Sequence, residues 1–165
     1  MNRPQPIKPK AGEESVWDYP RPPRLEKVTK HLEVFFNGEL IASSKNAYRV
    51  LETSHPPNYY FPPTDLMMEY FTLSAHKTFC EWKGKGSYYD IEVKGKKALN
   101  ACWFYDAPTQ SFLPIKNYAA FYANKMDRCL VDGELVSPQP GEFYGGWVTQ
   151  NIVGPFKGIP GSWGW

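Results

Sequence analysis

One stretch, LEVFFNGELIA at residues 32–42, decides the fold. Two apolar runs flank Asn37-Gly38, and both of these turn residues tolerate the positive φ that a type I′ turn requires. Asn-Gly between apolar runs is the strongest short-range signal of a β-hairpin. The stretch therefore predicts two antiparallel strands joined by a two-residue turn.

Similar turn chemistry recurs twice further along the chain, which predicts two more hairpins: residues 88–93 and 98–105 around Lys94-Gly95, and residues 129–131 and 134–136 around Asp132-Gly133. Three hairpins with short strands between them are typical of antiparallel sheets that enclose one core. We therefore predict a mostly β fold with one or two short helical turns. Its sheet arrangement is either a single curled antiparallel sheet or a small barrel or sandwich.

Shorter segments between the hairpins add to this pattern. Residues 47–51, 59–61 and 78–82 each favour a strand. Residues 66–73 are almost continuously apolar, which fits either a strand or a short helix. Residues 115–122 favour one helical turn that leads into a strand.

The two ends of the chain differ in composition from residues 16–137, which we interpret as the β domain. Residues 1–15 are rich in Pro, Lys, Gln and Glu, and they predict a disordered arm. Residues 138–165 hold too many aromatic residues for a solvated linker, so we expect an extended strap. Its predicted anchors are the large aromatic residues Phe143, Tyr144, Trp147, Phe156, Trp163 and Trp165. The sequence leaves open whether the strap covers its own domain or a neighbouring subunit, so a homodimer is one possible assembly.

Composition and charge disfavour several classes of function. The chain of 165 residues has the length of one domain, and its net charge of +2 is spread among interleaved acidic and basic residues. Such a balance does not favour nucleic-acid binding. The apolar runs are too short to span a membrane, and no signal sequence is visible, so we expect a cytoplasmic protein without a membrane partner. The three cysteines are far apart and contain no C-x-x-C pair, which favours neither a disulfide framework nor a zinc site.

The first candidate site is RVLETSHPP at residues 49–57. Arg49 provides a cation, and Glu52 and His55 provide a carboxylate and an imidazole. We interpret Arg49 as a contact to an anionic ligand and Glu52 and His55 as candidate general acid or base. The alternative interpretation is a polar strand end with a hydrogen-bonded turn and a surface histidine.

The second candidate site is TFCEWKGKGSY at residues 78–88, which contains a glycine-flanked bend. Backbone N–H groups in a glycine-rich bend can form a concave nest for an anion, with Lys83 or Lys85 as its positive charge. Cys80 would line such a site, although a cysteine in an aromatic strand is more often inert core. A tight connection between two strands is the alternative.

At these residues the chain resembles the bacterial family of domain of unknown function 427. The resemblance covers residues 16–136 and rests on five segments: VWDYPRPP at 16–23, YRVLETSHPP at 48–57, YYFPP at 59–63, TFCEWKG at 78–84 and AAFY at 119–122. The segments FYGGW and GSWGW near the end are similar to an extension of cyanobacterial members. One departure is Glu81, which stands where Pro is common before the Trp.

The resemblance implies a small, predominantly β protein. The family is labelled nucleotidyltransferase-like in one classification, yet such enzymes hold Mg²⁺ with a closely spaced carboxylate pair. No Asp-x-Asp or Glu-x-Glu beside a Gly-Ser motif is present here, and we predict no metal site.

The resemblance favours a shared polar pocket, because Arg49, Glu52, His55, Tyr60 and Lys83 fall inside its characteristic segments. Two functional hypotheses follow. In the first, the protein binds a small anionic ligand, either without catalysis or as an enzyme of unassigned reaction. Arg49 and Lys83 hold the anion, and Tyr60 or Tyr88 orients the ligand. In the second, the protein is a non-catalytic module whose aromatic strap mediates association. The sequence identifies no cofactor.

Overall fold

The computed structural model describes residues 3–165 and contains mainly β-strands. Within these residues the strands are β1 (Glu14–Ser15), β2 (Arg24–Lys27), β3 (Leu32–Phe36), β4 (Glu39–Ser44), β5 (Tyr48–Leu51), β6 (Asn58–Tyr60), β7 (Phe71–Cys80), β8 (Gly84–Val93), β9 (Lys96–Phe104), β10 (Ala120–Phe121), β11 (Arg128–Val131), β12 (Glu134–Leu135), β13 (Ser137–Pro138), β14 (Trp147–Val148) and β15 (Ile152–Val153). The predicted mostly β fold is confirmed.

The helical content consists of short 3-10 turns at Val16–Asp18, Pro63–Asp65, Met68–Tyr70, Gln110–Ile115 and Ala123–Lys125. The ambiguous residues 66–73 contain both predicted alternatives, because the turn at Met68–Tyr70 leads directly into β7. The predicted helical turn near residue 115 is also present and precedes β10. Among the described residues, no helix combines the length and the apolarity needed to cross a membrane.

All three predicted hairpins are confirmed, and their turns have the conformation that their residues predicted. Each two-residue turn has positive φ at both positions: 46° and 82° at Asn37-Gly38, 50° and 81° at Lys94-Gly95, and 47° and 80° at Asp132-Gly133. These turns join β3 to β4, β8 to β9 and β11 to β12. Paired positive φ values match the right-handed twist of the flanking strands.

The strands form two larger antiparallel surfaces. One has the order β12-β11-β3-β4. In the other, a β-bridge joins the sheet β2-β5-β6 to the sheet β10-β9-β8-β7. In this bridge, Phe61 and Ala119 exchange both backbone hydrogen bonds. The arrangement therefore differs from one curled sheet: a seven-stranded surface and a four-stranded sheet together enclose the core.

The main core lies between these surfaces and is aliphatic and aromatic. Leu32, Val34, Ile41, Phe61 and Phe121 are all at most 2% exposed within it. A second apolar cluster surrounds Tyr60 and Trp103 on the outer side of β9 and β10. This second cluster forms the floor of the cavity described below.

The N-terminal arm differs from the predicted disorder. Ile7 donates its backbone N–H to Gly154 O at 2.9 Å, and β1 pairs in parallel with β15. The Glu14 carboxylate also binds Arg49, so backbone pairing and an ion pair hold a segment that has few apolar side chains to bury. Residues 1 and 2 of the predicted arm lie outside the described residues.

The C-terminal strap packs on its own domain. Trp147 is 1% exposed and donates its indole N–H to Phe121 O at 3.0 Å, and Trp165 contacts the Trp17 ring with centroids 5.6 Å apart. Two of the predicted anchors are wrong, because Phe143 is 66% exposed and Trp163 is 75% exposed. The strap therefore anchors mainly through Trp147 and through backbone hydrogen bonds.

Candidate functional site

A cavity of about 440 Å³ opens beside the second apolar cluster. β6, the β7–β8 hairpin and β9 form its main walls, and the C-terminal strap forms another. Half of the 18 lining residues are aromatic: Tyr60, Phe79, Trp82, Tyr88, Trp103, Tyr105, Tyr122, Phe143 and Tyr144. Concave, mainly apolar sites with a few polar groups are the usual form of small-molecule sites in proteins.

The fold brings six of the seven predicted site residues to this one cavity: Glu52, His55, Tyr60, Cys80, Lys83 and Tyr88. They come from segments that are far apart in sequence. The turn after β5 carries the first two residues, and the β7–β8 hairpin carries the last three. The ligand-binding and catalytic roles assigned to these residues remain predictions.

Arg49 is the residue that the fold places elsewhere. Its guanidinium forms ion pairs with Glu14 at 2.8 Å and with Glu26 at 2.6 Å. Side chains alternate along β5, so Arg49 lies on the face opposite Val50, which packs in the cluster beneath the cavity. Arg49 therefore joins β1, β2 and β5, and it is not available to a ligand in the cavity.

Lys83 is the most unusual side chain of the cavity. It lies just before Gly84, whose φ of 103° favours glycine, and it is only 6% exposed. Tyr105 and Phe112 place their ring centroids 5.8 and 5.9 Å from Lys83 Nζ. Among the ion pairs of residues 3–165, none includes Lys83. Buried ammonium groups are normally paired, so this cation is well suited to an incoming anion.

The charge state of Lys83 follows from its neighbours. Burial lowers the pKa of the ammonium, but the Tyr60 phenol and the Cys80 thiol raise it, and Glu52 adds a smaller contribution in the same direction. The pKa therefore lies above its ordinary value, and Lys83 is a cation at neutral pH. Lys85, the other predicted cation of the bend, is exposed and does not line the cavity.

The Glu52 side chain at the cavity forms an ion pair with Arg21. Its Oε2 atom lies 3.2 Å from Arg21 Nε and 3.8 Å from His55 Nε2. Arg21 also donates to Thr53 O at 2.8 Å, which fixes the guanidinium against the turn. The carboxylate is therefore held in place by a cation outside the cavity, and Lys83 has no carboxylate partner within residues 3–165.

His55 is held by Gln139, a buried residue of the strap. Gln139 accepts a hydrogen bond from Gly146 N–H at Oε1, which identifies Nε2 as its donor atom. That Nε2 donates to Lys157 O at 2.9 Å and to His55 Nδ1 at 3.0 Å. His55 Nδ1 is therefore an acceptor, and the imidazole proton lies on Nε2, on the side of Glu52.

Electrostatics keep this histidine neutral. Burial, and to a smaller extent the cations Lys157, Arg21 and Lys83, lower the pKa of His55 to about 3. Its Nδ1 lone pair is engaged, and its Nε2 carries the proton. In this arrangement His55 can donate a neutral hydrogen bond from Nε2, which suits ligand orientation better than the acid or base role predicted for it.

Two tyrosines and a cysteine complete the predicted set. The Tyr60 hydroxyl is fully buried and accepts a hydrogen bond from Trp103 Nε1 at 3.1 Å. Tyr88 pairs its hydroxyl with Thr78 Oγ1 at 3.1 Å. Cys80 ends β7 and is half-buried. Among residues 3–165, no group of three His, Cys, Asp or Glu side chains could hold a metal ion.

The sequence profile of one family, domain of unknown function 427 (DUF427), matches residues 24–132, which is most of the chain. The chain belongs to the DUF427 family. The matched region contains all seven predicted site residues, including the displaced Arg49. No curated protein matches the chain.

Part of the cavity lies outside the DUF427 match. Phe143, Tyr144, Gly145 and Lys157 come from the strap. The strap approaches the domain closely at Gly145, where a Cβ atom would lie 2.3 Å from the Trp103 ring. Glycine is therefore required for this wall to pack against β9.

Sequence analysis missed four polar residues of the site region. Arg21 and Gln139 hold Glu52 and His55, while Asn58 and Lys157 line the cavity. Asn58 Oδ1 is buried and has no hydrogen-bond partner in the part of the chain that the structure describes. Only Arg21 had a sequence signal, because it lies in the segment VWDYPRPP of the family resemblance; the other three depend on long-range packing.

Proposed function

We propose that the DUF427 cavity of this protein binds a small anionic ligand, with Lys83 Nζ as the main contact to the anionic group. The observation that carries the proposal is a buried ammonium without a carboxylate partner among residues 3–165, at the wall of a cavity that can admit a small molecule. A hydrogen bond between ions is about twice as strong as a neutral one. A phosphate or a carboxylate would supply the missing counter-charge.

The aromatic walls favour a ligand with a flat body. Tyr105, Tyr122 and Trp103 offer ring surfaces on one side, and Tyr144 offers another from the strap. Aromatic rings bind planar groups and sugar faces through broad apolar contact. Sugar phosphates, nucleoside monophosphates and aromatic carboxylates share this combination of an anion and a ring.

The remaining polar groups would orient the ligand. His55 Nε2–H and the hydroxyls of Tyr60 and Tyr88 are the neutral groups of the predicted set. Glu52, held by Arg21, is the carboxylate that would accept a proton or a hydroxyl hydrogen bond from the ligand. An enzymatic reaction would therefore depend on Glu52 more than on His55.

The test is a thermal-shift and calorimetric screen of wild type with inorganic phosphate, glucose 6-phosphate, adenosine monophosphate and benzoate. A ligand at one hundred times its Kd adds about 2.7 kcal/mol to stability, which is a measurable rise in Tm. We expect at least one anion to raise the Tm of wild type and to lose this effect in Lys83→Met.

Lys85→Met is the matched control, because Lys85 lies two residues away and is exposed. It should retain the ligand-induced shift of wild type. The proposal is wrong if no anion of the panel binds, or if both lysine variants respond to the anions as wild type does.

A further inference from the structure

We infer that Cys80 is a covalent modification site for small anionic electrophiles, which Lys83 attracts to the sulfur. The inference deepens the proposed function and rests on its premise that Lys83 attracts anions to the cavity. It adds a chemical property that anion binding alone does not imply, namely the selective reaction of one thiol with negatively charged reagents.

The position of Cys80 differs from that of the other two cysteines. Cys80 Sγ belongs to a half-buried residue at the cavity wall, whereas Cys102 and Cys129 are at most 1% exposed inside the main core. Burial also raises the pKa of both core thiols well above the ordinary value. The protein therefore contains one accessible thiol and two internal reference thiols.

The neighbour of Cys80 is the second observation. Lys83 lies three residues after Cys80 in the β7–β8 connection, lines the same cavity and is more than nine-tenths buried. The reactive form of a cysteine is its thiolate, and Lys83 places a positive charge at the same cavity. The same charge attracts an anionic reagent, and a water-poor site weakens this attraction less than bulk water does.

The other charges of the cavity do not cancel this attraction. Glu52 is paired with Arg21 at 3.2 Å. Glu81 also lines the cavity, but it is exposed, so solvent screens its charge. Lys157, a second cation, lines the cavity from the strap.

The reaction is a simple substitution at sulfur. The thiol of Cys80 releases its proton to solvent, the thiolate attacks the methylene carbon of iodoacetate, the C–S bond forms, the C–I bond breaks and iodide leaves. With a disulfide of a carboxylate-bearing thiol, the thiolate attacks one sulfur and the other sulfur leaves as a thiolate. Both reactions leave a negatively charged adduct beside Lys83.

The experiment compares iodoacetate, which is anionic, with iodoacetamide, which is neutral and similar in size. The alkylation rate of each cysteine is measured on the full chain by peptide mass spectrometry, and free cysteine in the same buffer is the reference. We expect the iodoacetate-to-iodoacetamide rate ratio at Cys80 to exceed that of free cysteine by about fivefold, from the charge attraction in a partly desolvated site. Cys102 and Cys129 should react far more slowly with both reagents.

Lys83→Met should reduce the ratio at Cys80 to that of free cysteine, and Lys85→Met should preserve the wild-type ratio. The wild-type ratio requires no variant, so it decides the inference even if Lys83→Met does not fold. A wild-type ratio equal to that of free cysteine overturns the inference.

Calorimetry with inorganic phosphate separates the two proposals. If phosphate binds in a Lys83-dependent manner while the alkylation ratio at Cys80 equals the reference, the covalent inference is wrong and the proposed function stands. If the alkylation ratio depends on Lys83 and no anion of the panel binds, the inference stands and the proposed function is wrong.

Discussion

The Gln139 amide donates a hydrogen bond to His55 Nδ1 at 3.0 Å and thereby connects the C-terminal strap to the turn that follows β5. The same side chain also accepts from Gly146 N–H and donates to Lys157 O. The side chain of Gln139, which is 3% exposed, therefore binds three residues near the cavity: His55, Gly146 and Lys157. The strap and the DUF427 domain are coupled through a polar contact as well as through the aromatic packing of Trp147.

Gln139→Leu should destabilise the protein, because it leaves several buried polar groups without partners. Each unsatisfied buried group costs about 1–3 kcal/mol, so we expect a loss of roughly 2–4 kcal/mol in the free energy of unfolding. Urea denaturation measures this loss. Gln150→Leu, at an exposed position of the same strap, is the control and should stay within about 0.5 kcal/mol of wild type. Equal stabilities of the two variants would contradict the proposed role of Gln139.

His55 should make the stability depend on pH in the acid range. Its pKa is about 3 in the folded protein and near 6.5 ordinarily, so the unfolded chain binds the additional proton between these values. The stabilising contribution is complete above pH 6.5 and is lost as the pH falls towards 3. Its slope approaches about 1.4 kcal/mol per pH unit.

Chemical denaturation of wild type and His55→Gln at several pH values between 7 and 4 checks this prediction. The variant should show a shallower decline in stability than wild type, and the exposed His76→Gln should follow the wild-type curve. Parallel curves for wild type and His55→Gln would show that His55 does not control the acid dependence.

Removing the charge of Arg49 should lower the stability of the protein, whereas removing the charge of Lys83 should not. Arg49→Met leaves Glu14 and Glu26 facing each other without their cation. Both carboxylates are partly exposed, which reduces the cost to about 1–3 kcal/mol. Lys83→Met removes a buried charge that has no carboxylate partner among the described residues, so the variant should be as stable as wild type or more stable.

Thermal melting of both variants without ligand distinguishes the two roles. Arg24→Met is the control for Arg49, because Arg24 pairs with Glu26 in an exposed position and should change the Tm little. A strong loss of stability in Lys83→Met would identify Lys83 as a structural residue and would remove support for the ligand site.

Gly145→Ala should displace the strap wall of the cavity. The added methyl group would lie 2.3 Å from the Trp103 ring, so either this buried ring or the strap backbone must shift, at a cost of about 1–3 kcal/mol. We expect a lower Tm and a change in tryptophan fluorescence. Phe143→Ala, at an exposed side chain of the same segment, should leave the Tm nearly unchanged. Identical melting of both variants would show that the strap does not pack closely at Gly145.

Local signals in the sequence predicted the strands and turns well. Asn37-Gly38 and Asp132-Gly133 determine their hairpins through backbone conformation alone, and both turns have the predicted positive φ. Local sequence patterns do not indicate which strands pair across long stretches of the chain. The bridge between Phe61 and Ala119, which joins two sheets into one surface, leaves no pattern in either segment.

The candidate site shows the same division between local and long-range information. His55 and Lys83 could be selected by residue type and family resemblance, and the fold brings both to one cavity. The position of Arg49 outside this cavity could not be predicted, because strand alternation separates the two faces of β5 without showing which face meets the cavity. Gln139 was missed because its role depends on a hydrogen bond across 84 residues of sequence.

The most direct test of the central claim is a thermodynamic cycle that removes the ammonium and the anion separately. Calorimetry measures the Kd of adenosine monophosphate and adenosine, and of glucose 6-phosphate and glucose, with wild type and with Lys83→Met. We predict that wild type binds at least one phosphorylated ligand about tenfold or more tightly than its neutral analogue, because a charged hydrogen bond contributes about 1.5–3 kcal/mol. Lys83→Met should abolish this difference in affinity. A preference for the phosphorylated ligand that is unchanged in Lys83→Met, or absent in wild type, would contradict the account.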